Sequence, residues 1–363
     1  MKERNYGIDF LRIFSMFMVV MLHVLGQGGV LANARGVNYW VAWLLEITCY
    51  CAVNCFALIS GFVMHNSNTK TSRIIELWLQ TAFYTIIFTA ILFIAVPDSI
   101  SVKATLKAVF PISTKHYWYI SAYFGLYLLI PLINMALKNI ERKYLEFILL
   151  AAFFFYSVLP TFVVSDPYLI NGGYSLIWLA LLYICGAYIS KYDIIHIVKK
   201  RTALIVFVAS VFVTVLSKFL LESISPSFFN KLFTNNFLID YTSPTIVLSG
   251  ISLFVFCAKL TFPKPIVKCI SLLAPASLGV YLIHNCAPVW SRIIKDFSVG
   301  FVEYNFVIMV LLVLLSAIVI YLICSIIEIG RFRLFRALKI SNLCSRIEKV
   351  LVSKFDKITK HGV

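Results

Sequence analysis

The sequence predicts an all-α, polytopic membrane protein of about ten transmembrane helices with both termini in the cytoplasm. Hydrophobic residues make up 61% of the 363 residues and charged residues only 13%, and the mean hydropathy is +0.91. This composition is too apolar for a soluble domain. Two further observations support the prediction: apolar runs recur at the length of a membrane span, and the Lys and Arg residues are unevenly distributed.

Runs of about 20 apolar residues, the length that an α-helix needs to cross a bilayer, recur along the whole chain. The first run could imitate a signal peptide, since Ala32-Asn33-Ala34 follows it. It is too long for one and carries the most distinctive polar residues of the chain, so we treat it as the first span. The predicted spans are 10–30, 40–65, 77–97, 118–137, 146–164, 174–190, 202–221, 244–260, 272–292 and 304–328.

The cations predict the orientation of these spans. With the N-terminus inside, the cytoplasmic segments hold 23 of the 32 Lys and Arg, the outer loops hold eight, and Arg12 lies in the first span. This is the positive-inside pattern, so topology explains the net charge of +16 and no nucleic-acid partner is expected. Residues 1–330 are predicted to form one transmembrane domain, and 331–363 a basic cytoplasmic tail beside anionic lipid of the bilayer.

The predicted connections on the inner side are short and basic, whereas 98–117 and 222–243 on the outer side are longer. Long polar and aromatic loops suit recognition, so the first could be a lid, while we expect the second to be an ordinary connector. The nine Cys residues are odd in number and lack metal-type spacing. They therefore argue against a disulfide framework and against a metal site.

Two ionisable residues lie within the first span, where a charge is costly and the default interpretation is functional. Arg12 and His23 are eleven residues apart. This separation is about three helical turns, so they share one helix face about 16 Å apart in depth. Asp9 lies close to the same face. Alternatively, Arg12 only marks the cytoplasmic end of the span and His23 packs against a neighbouring helix.

Four segments of the sequence contain recognisable motifs. They are Arg4-Asn-Tyr-Gly-Ile-Asp9-Phe-Leu-Arg12 followed by His23, Val53 to Phe62 with Ser60-Gly61-Phe62, His116-Tyr117-Trp118-Tyr119, and Ser277 to His284 with Gly279 and Tyr281. In these segments the chain resembles the acyltransferase-3 family of integral membrane acyltransferases. Two features depart from the family: only Lys70 and Arg73 stand where paired arginines are frequent, and Asn54 stands where Asp is common. The second departure is expected to affect only helix packing.

The resemblance implies a glycan O-acetyltransferase-like enzyme in the bacterial cytoplasmic membrane. Its donor would be acetyl-CoA or another acyl-CoA, and its acceptor a hydroxyl of a carbohydrate or lipid-linked glycan, with no metal. The residues by themselves argue only for a cationic donor site on the inner side and a base in mid-membrane. The competing function is a transporter or exporter that uses the same intramembrane polar residues. The sequence shows no inverted repeat, which weakens that alternative.

A polyanionic donor made in the cytoplasm needs cations at the inner face, and Arg4, Arg12, Lys70 and Arg73 are placed for this role. For Lys70 a topology-setting charge is the better interpretation. Arg12 shares the face of His23 and could hold a phosphate or the amides of the pantetheine arm. That arm is about 15–20 Å long, which matches the separation of Arg12 and His23 along the helix.

His23 is predicted to be the catalytic residue, either as a general base toward the acceptor hydroxyl or as a nucleophile that carries the acyl group. Glu46 is predicted at nearly the same depth, where it could orient His23 or bind the acceptor; alternatively it faces water in an outer vestibule. His284 is assigned a supporting polar contact near the substrate.

His116, Trp118 and Tyr119 begin the fourth span at the outer surface. They are either interfacial anchors or part of a sugar-binding surface. Asp9 is expected to support the site by pairing with Arg12 or Arg4. Ser60 and Gly61 are expected to permit a close approach of two helices.

Overall fold

The structure is a computed structural model that describes residues 4–67, 69–96, 102–113, 117–163, 165–224 and 237–361. Within these ranges the chain is helical and contains no strand. Ten apolar helices correspond in order to the ten predicted spans, and an eleventh follows them. They are α1 Tyr6–Leu25, α2 Gly36–Met64, α3 Thr71–Ala95, α4 Trp118–Asn139, α5 Arg142–Val163, α6 Leu176–Lys191, α7 Lys200–Ile224, α8 Pro244–Ala258, α9 Lys264–His284, α10 Phe306–Ala337 and α11 Ile340–His361.

Eight of these helices are long and apolar enough to cross a membrane in the described part of the chain. The other two apolar helices, α6 and α8, have 16 and 15 residues. At the α-helical rise these are at most about 24 Å long, against a hydrocarbon core of about 30 Å. The predicted count of about ten is therefore confirmed only as a multi-span helical architecture, since two of the ten helices are short.

Helix α1 lies at the centre of the molecule, with 13 of its 20 residues buried. It begins after Asn5, whose Oδ1 accepts a hydrogen bond from the Ile8 amide at 3.1 Å and whose Nδ2 donates to the Ala258 carbonyl at 3.0 Å. This N-cap fixes the helix start and ties it to α8. The helix ends at Leu25, earlier than the predicted residue 30, because a glycine-rich turn follows in which Gly29 has a φ of 98°.

Helix α2 is interrupted by a turn at Tyr50 and Cys51. Its second segment packs against the short helix α6 at backbone distance. A Cβ atom on Gly61 would collide with a backbone carbonyl of α6, and one on Gly186 would collide with a backbone carbonyl of α2. Small residues that let two backbones meet are typical of helix packing in membranes. Gly61 thus lies at the close helix approach that the sequence predicts there.

Helix α9 spans Lys264 to His284, whereas the sequence predicts 272–292. Pro265 is favourable in the first turn of a helix, where no backbone donor is needed, so the helix begins earlier than hydropathy indicates. The helix ends at His284, and after Asn285 and Cys286 a separate short helical segment runs from Ala287 to Ile294, with Pro288 in its first turn. The prediction from hydropathy alone therefore places this span too far toward the C-terminus.

Helix α10 passes through the predicted domain boundary at residue 330 and ends at Ala337. Arg331 is only 5% exposed, and its guanidinium binds Glu328 through contacts of 3.1 Å and 2.5 Å. Glu328 also accepts hydrogen bonds from Gln80 at 3.0 Å and from the Tyr84 hydroxyl of α3. Arg331 therefore lies within α10, where its charge is paired with Glu328.

The C-terminal helix α11 lies against α3. The Glu348 carboxylate accepts a hydrogen bond from the Thr71 amide at 2.7 Å, at the start of α3. An acidic side chain at a helix N-terminus complements the partial positive charge of the free amides. Hydrogen bonds from the Ser72 side chain, and to a smaller extent from the Thr71 amide, lower the pKa of Glu348 below its ordinary value. Within the predicted basic tail, residues 340–361 thus form a helix that packs against α3.

Candidate active site

A cavity of about 750 Å³ lies beside α1 and is walled by α2, α4 and α9. On α1 its lining reaches from Arg12 to His23, a rise of about 16 Å, and beyond the helix it includes Gly26 and Gln27. Arg12 and His23, the two ends of the helix face predicted from the sequence, therefore line the same cavity. Six of the predicted side chains line this cavity: Arg12, His23, Glu46, Ser60, Trp118 and Tyr119.

Asp9 joins two arginines at one end of the cavity. Its Oδ2 accepts a hydrogen bond from Arg4 Nε at 2.6 Å, and its Oδ1 accepts one from Arg12 Nη1 at 3.3 Å. The Arg12 side chain keeps 32% of its surface exposed and lines the cavity. Asp9 therefore holds Arg12 in place while most of the guanidinium N–H groups stay available to an anionic ligand. Arg4, which is half exposed, is outside the cavity lining.

His23 is hydrogen-bonded to a second histidine on α9. The distance from His23 Nδ1 to His284 Nε2 is 2.8 Å, and His284 Nδ1 lies 2.6 Å from the Val280 carbonyl oxygen. A carbonyl can only accept, so His284 Nδ1 carries the proton and its Nε2 is the acceptor when the ring is neutral. His23 Nδ1 must then donate to His284. The residue that orients His23 is therefore His284, 261 positions later in the chain.

This chain of hydrogen bonds leaves Nε2 of His23 unprotonated. No further hydrogen bond to the His23 ring is found among the described residues, and the ring contributes to the cavity wall. The edge of Trp290 packs against it with the ring centroids 4.7 Å apart. His284 is 1% exposed, so it acts on the cavity through His23 and not directly. The arrangement presents one oriented basic nitrogen to a ligand.

Glu46 lines the same cavity but is not hydrogen-bonded to His23 among the described residues. Its side chain is 9% exposed, and its Oε2 atom is buried without a hydrogen-bond partner. The predicted orienting role is thus taken by His284. Of the two roles predicted for Glu46, contact with a ligand is the one that its position favours.

Four aromatic rings form a continuous surface of the cavity, which we call the aromatic wall: Tyr50, Trp118, Tyr174 and Tyr241. Their ring centroids lie 4.4 Å apart for Trp118 and Tyr174, 5.0 Å for Tyr174 and Tyr241, and 4.8 Å for Tyr50 and Tyr241. Tyr241 belongs to 222–243, which the sequence argument treated as an ordinary connector, but the Tyr241 side chain lines the cavity. His116 lies outside the described residues.

The remaining predicted residues play smaller parts in the geometry. Lys70 and Arg73 are exposed at the start of α3 and are absent from the cavity lining. Ser60 lines the cavity, but its hydroxyl donates to the Phe56 carbonyl at 2.9 Å within α2. Tyr119 stacks on Tyr123 with the ring centroids 6.0 Å apart.

The sequence argument missed three of the four rings of the aromatic wall and the buried Glu328. Tyr174 and Tyr241 flank helices as loop residues, where an aromatic side chain is also an ordinary membrane-interface anchor. The one local signal is the Gly172-Gly173 pair before Tyr174, where both residues have positive φ. Such glycines indicate a fixed turn but not the surface that the turn presents.

In the described part of the chain no group of three or more His, Cys, Asp or Glu side chains is placed to hold a metal ion. Comparison with known families finds a match to a family described as an acyltransferase domain, Acyl_transf_3, over residues 5–328. The matched range contains every residue of the cavity lining and α1 to α9. No curated protein and no solved structure matches the chain significantly.

Proposed function

The chain belongs to the acyltransferase-3 family of membrane acyltransferases, and from this premise we propose that it transfers an acyl group, in the simplest case acetyl, from acyl-CoA to a carbohydrate hydroxyl. The acceptor in this proposal is a free or lipid-linked glycan, and the enzyme resides in the cytoplasmic membrane. The observation that carries the proposal is the hydrogen-bond chain from Val280 through His284 to His23, which leaves His23 Nε2 as a base in the cavity.

The proposed donor fits the Arg12 end of the cavity. Arg12 supplies planar, charged N–H groups that suit phosphate or amide oxygens, and Asp9 fixes its position. A pantetheine arm of about 15–20 Å would bring the thioester close to His23, since Arg12 and His23 are separated by about 16 Å along α1. Arg4 contributes positive charge nearby. Lys70 and Arg73 could attract the polyanion only from outside the cavity.

In the proposed reaction His23 acts as general base. Nε2 takes the proton of the acceptor hydroxyl while the hydroxyl oxygen forms a bond to the acyl carbon. The bond from that carbon to sulfur breaks, and the proton passes from Nε2 to the departing thiolate. The products are the acylated hydroxyl and free CoA. The positive charge that His23 carries in between is stabilised by its Nδ1–H···Nε2 hydrogen bond to His284.

The deciding experiment follows label from radioactive acetyl-CoA into a membrane glycolipid fraction, using purified wild-type protein and His23→Ala. We expect transfer by the wild type and a loss of about 100-fold or more in the variant, the usual contribution of a general base. His196→Ala is the matched control, because His196 is exposed and bonded only to Asp193 among the described residues. Equal transfer by His23→Ala and wild type would refute the catalytic role.

Two measurements separate the donor site from the mechanism. Arg12→Ala is expected to weaken CoA binding while Lys143→Ala, at an exposed position away from the cavity, leaves it unchanged. Normal CoA affinity of Arg12→Ala would remove the proposed donor placement. Incubation with donor alone tests the alternative chemistry, since stable label on the wild type and none on His23→Ala would identify His23 as an acyl carrier.

A further inference from the structure

Glu46 differs from the other buried acidic side chains that the structure describes. Asp9 is paired with Arg4 and Arg12, and Glu328 is paired with Arg331. Glu46 is 9% exposed, yet its Oε2 has no hydrogen-bond partner in the described structure. An unsatisfied polar atom away from water is unfavourable, and a carboxylate more so. Its position in the cavity wall therefore indicates that a ligand supplies the missing donors.

The aromatic wall lies next to this carboxylate. Tyr50 follows Glu46 by four residues, one helical turn away, and both line the cavity. Glu46 also lies close enough to the Tyr50 and Tyr241 hydroxyls to interact with them electrostatically. An acidic hydrogen-bond acceptor beside a broad aromatic surface matches a ligand with one apolar face and several hydroxyl groups.

The aromatic wall is held rigidly from behind. Asn54 is fully buried; its Nδ2 donates to the Tyr241 carbonyl at 2.8 Å, and its Oδ1 accepts from Trp178 Nε1 at 3.1 Å. Gly173, directly before Tyr174, has a φ of 99°, and a Cβ atom there would meet Tyr241. Asn54, which was expected to affect only helix packing, thus fixes the position of Tyr241 in the cavity wall. Asp at position 54 could not donate the bond to Tyr241.

We propose that Glu46 and the aromatic wall form the subsite for one pyranose ring of the acceptor. The C–H face of the ring packs on the aromatic wall, and two neighbouring hydroxyls donate hydrogen bonds to the Glu46 carboxylate. This assignment rests on the proposed function in taking a sugar hydroxyl as the acceptor. Glu46 would then discriminate between pyranoses that differ in the configuration of these two hydroxyls. His23, which lines the same cavity, receives the proton of the reacting hydroxyl.

The test measures binding separately from transfer. Full-length protein in lipid nanodiscs, free of glycoside detergent, is titrated with neutral methyl pyranosides and with their deoxy analogues, with saturation-transfer NMR as the readout. Glu46→Gln and Tyr241→Leu are expected to weaken binding about tenfold or more, since hydrogen bonds to the Glu46 carboxyl group and a stacking surface are lost. The control Glu303→Gln, at an exposed position outside the cavity lining, is expected to bind as wild type.

A second comparison addresses the role of Glu46 directly. A deoxy pyranoside that lacks the hydroxyl bonded to Glu46 should bind the wild type more weakly than the parent pyranoside does. The same deoxy change should have little further effect on binding to Glu46→Gln, because both changes delete the same contact. A purely structural role of Glu46 would not produce this coupling.

The outcomes separate the two proposals. Glycoside binding that depends on Glu46, without acyl transfer from acyl-CoA by the same preparation, keeps the subsite and refutes the proposed function. Unchanged binding by Glu46→Gln overturns the subsite, and so does failure of the wild type to bind any pyranoside at about 10 mM.

Discussion

Replacement of His284 tests the pairing of the two histidines most directly. His284→Ala removes the acceptor that lies 2.8 Å from His23 Nδ1. A hydrogen bond to a charged group contributes about 1.5–3 kcal/mol. Because His23 is charged only after it has taken the proton, the loss falls mainly on kcat, by about 10- to 150-fold at 1.36 kcal/mol per factor of ten. The KM for the donor is expected to change little.

The assay is steady-state transfer of labelled acetyl, with kcat and KM measured for wild type, His284→Ala, His284→Gln and the double variant with His23→Ala. His284→Gln keeps an oxygen acceptor near the position of Nε2 and is expected to recover part of kcat. The double variant should be no slower than His23→Ala alone, since residues that act as one unit are not additive.

Folding must be controlled, because His284 is 1% exposed and its Nδ1 is bonded to the Val280 carbonyl. Each variant is therefore compared with wild type by thermal unfolding, and kinetic constants are taken below the lowest transition. If His284→Ala is well folded and has a kcat within twofold of wild type, the assignment of His284 as the positioning residue is wrong. If His284→Gln and His284→Ala are equally impaired, the acceptor role of Nε2 is wrong.

Three further predictions concern the scaffold. Glu328→Ala leaves Arg331 buried without its partner and should destabilise the protein by about 3–5 kcal/mol, measured by chemical unfolding in detergent, whereas an unchanged midpoint would contradict the pairing. Gly279→Ala, whose added Cβ would meet the Glu328 side chain, should lower Tm, while the control Gly330→Ala has open space around its Cβ and should leave Tm unchanged or raise it slightly. Acidification should loosen α11 below the lowered pKa of Glu348, because a depressed carboxyl pKa gives stability that is present above the unfolded pKa and lost as pH falls. Hydrogen exchange in 340–361 checks this last prediction, and identical pH dependence in Glu348→Gln would exclude it.

Much of the fold could be predicted from hydropathy, because bilayer thickness fixes the length of a span and backbone hydrogen bonding requires helices. In the described part of the chain, eight of the ten apolar runs correspond to helices long enough to cross a membrane and two to shorter apolar helices. The ends of α1, α9 and α10 could not be predicted, since they depend on a glycine turn, on proline positions and on the pairing of Arg331 with Glu328. A charged residue such as Arg331 therefore indicates the end of a span only where it has no buried ion-pair partner.

The candidate site, like the fold, could be predicted only in part. Arg12 and His23 belong to one helix, so helical periodicity was enough to predict their common face. His284 meets His23 from a different helix, and Tyr241 reaches the aromatic wall from a loop. Which helices are neighbours is decided by side-chain packing, such as the contact of Gly61 with α6, and periodicity within one segment carries no information on it.

The length of the cavity has an electrical consequence. On α1 it extends about 16 Å, from Arg12 to His23, against a hydrocarbon core of about 30 Å. Moving one elementary charge through the full membrane voltage requires about 2.3 kcal/mol per 100 mV. In the proposed reaction the charged phosphates stay at Arg12 and the group that advances along the cavity is neutral. Transfer over this distance would therefore require almost no electrical work, and its rate should be nearly independent of the membrane voltage.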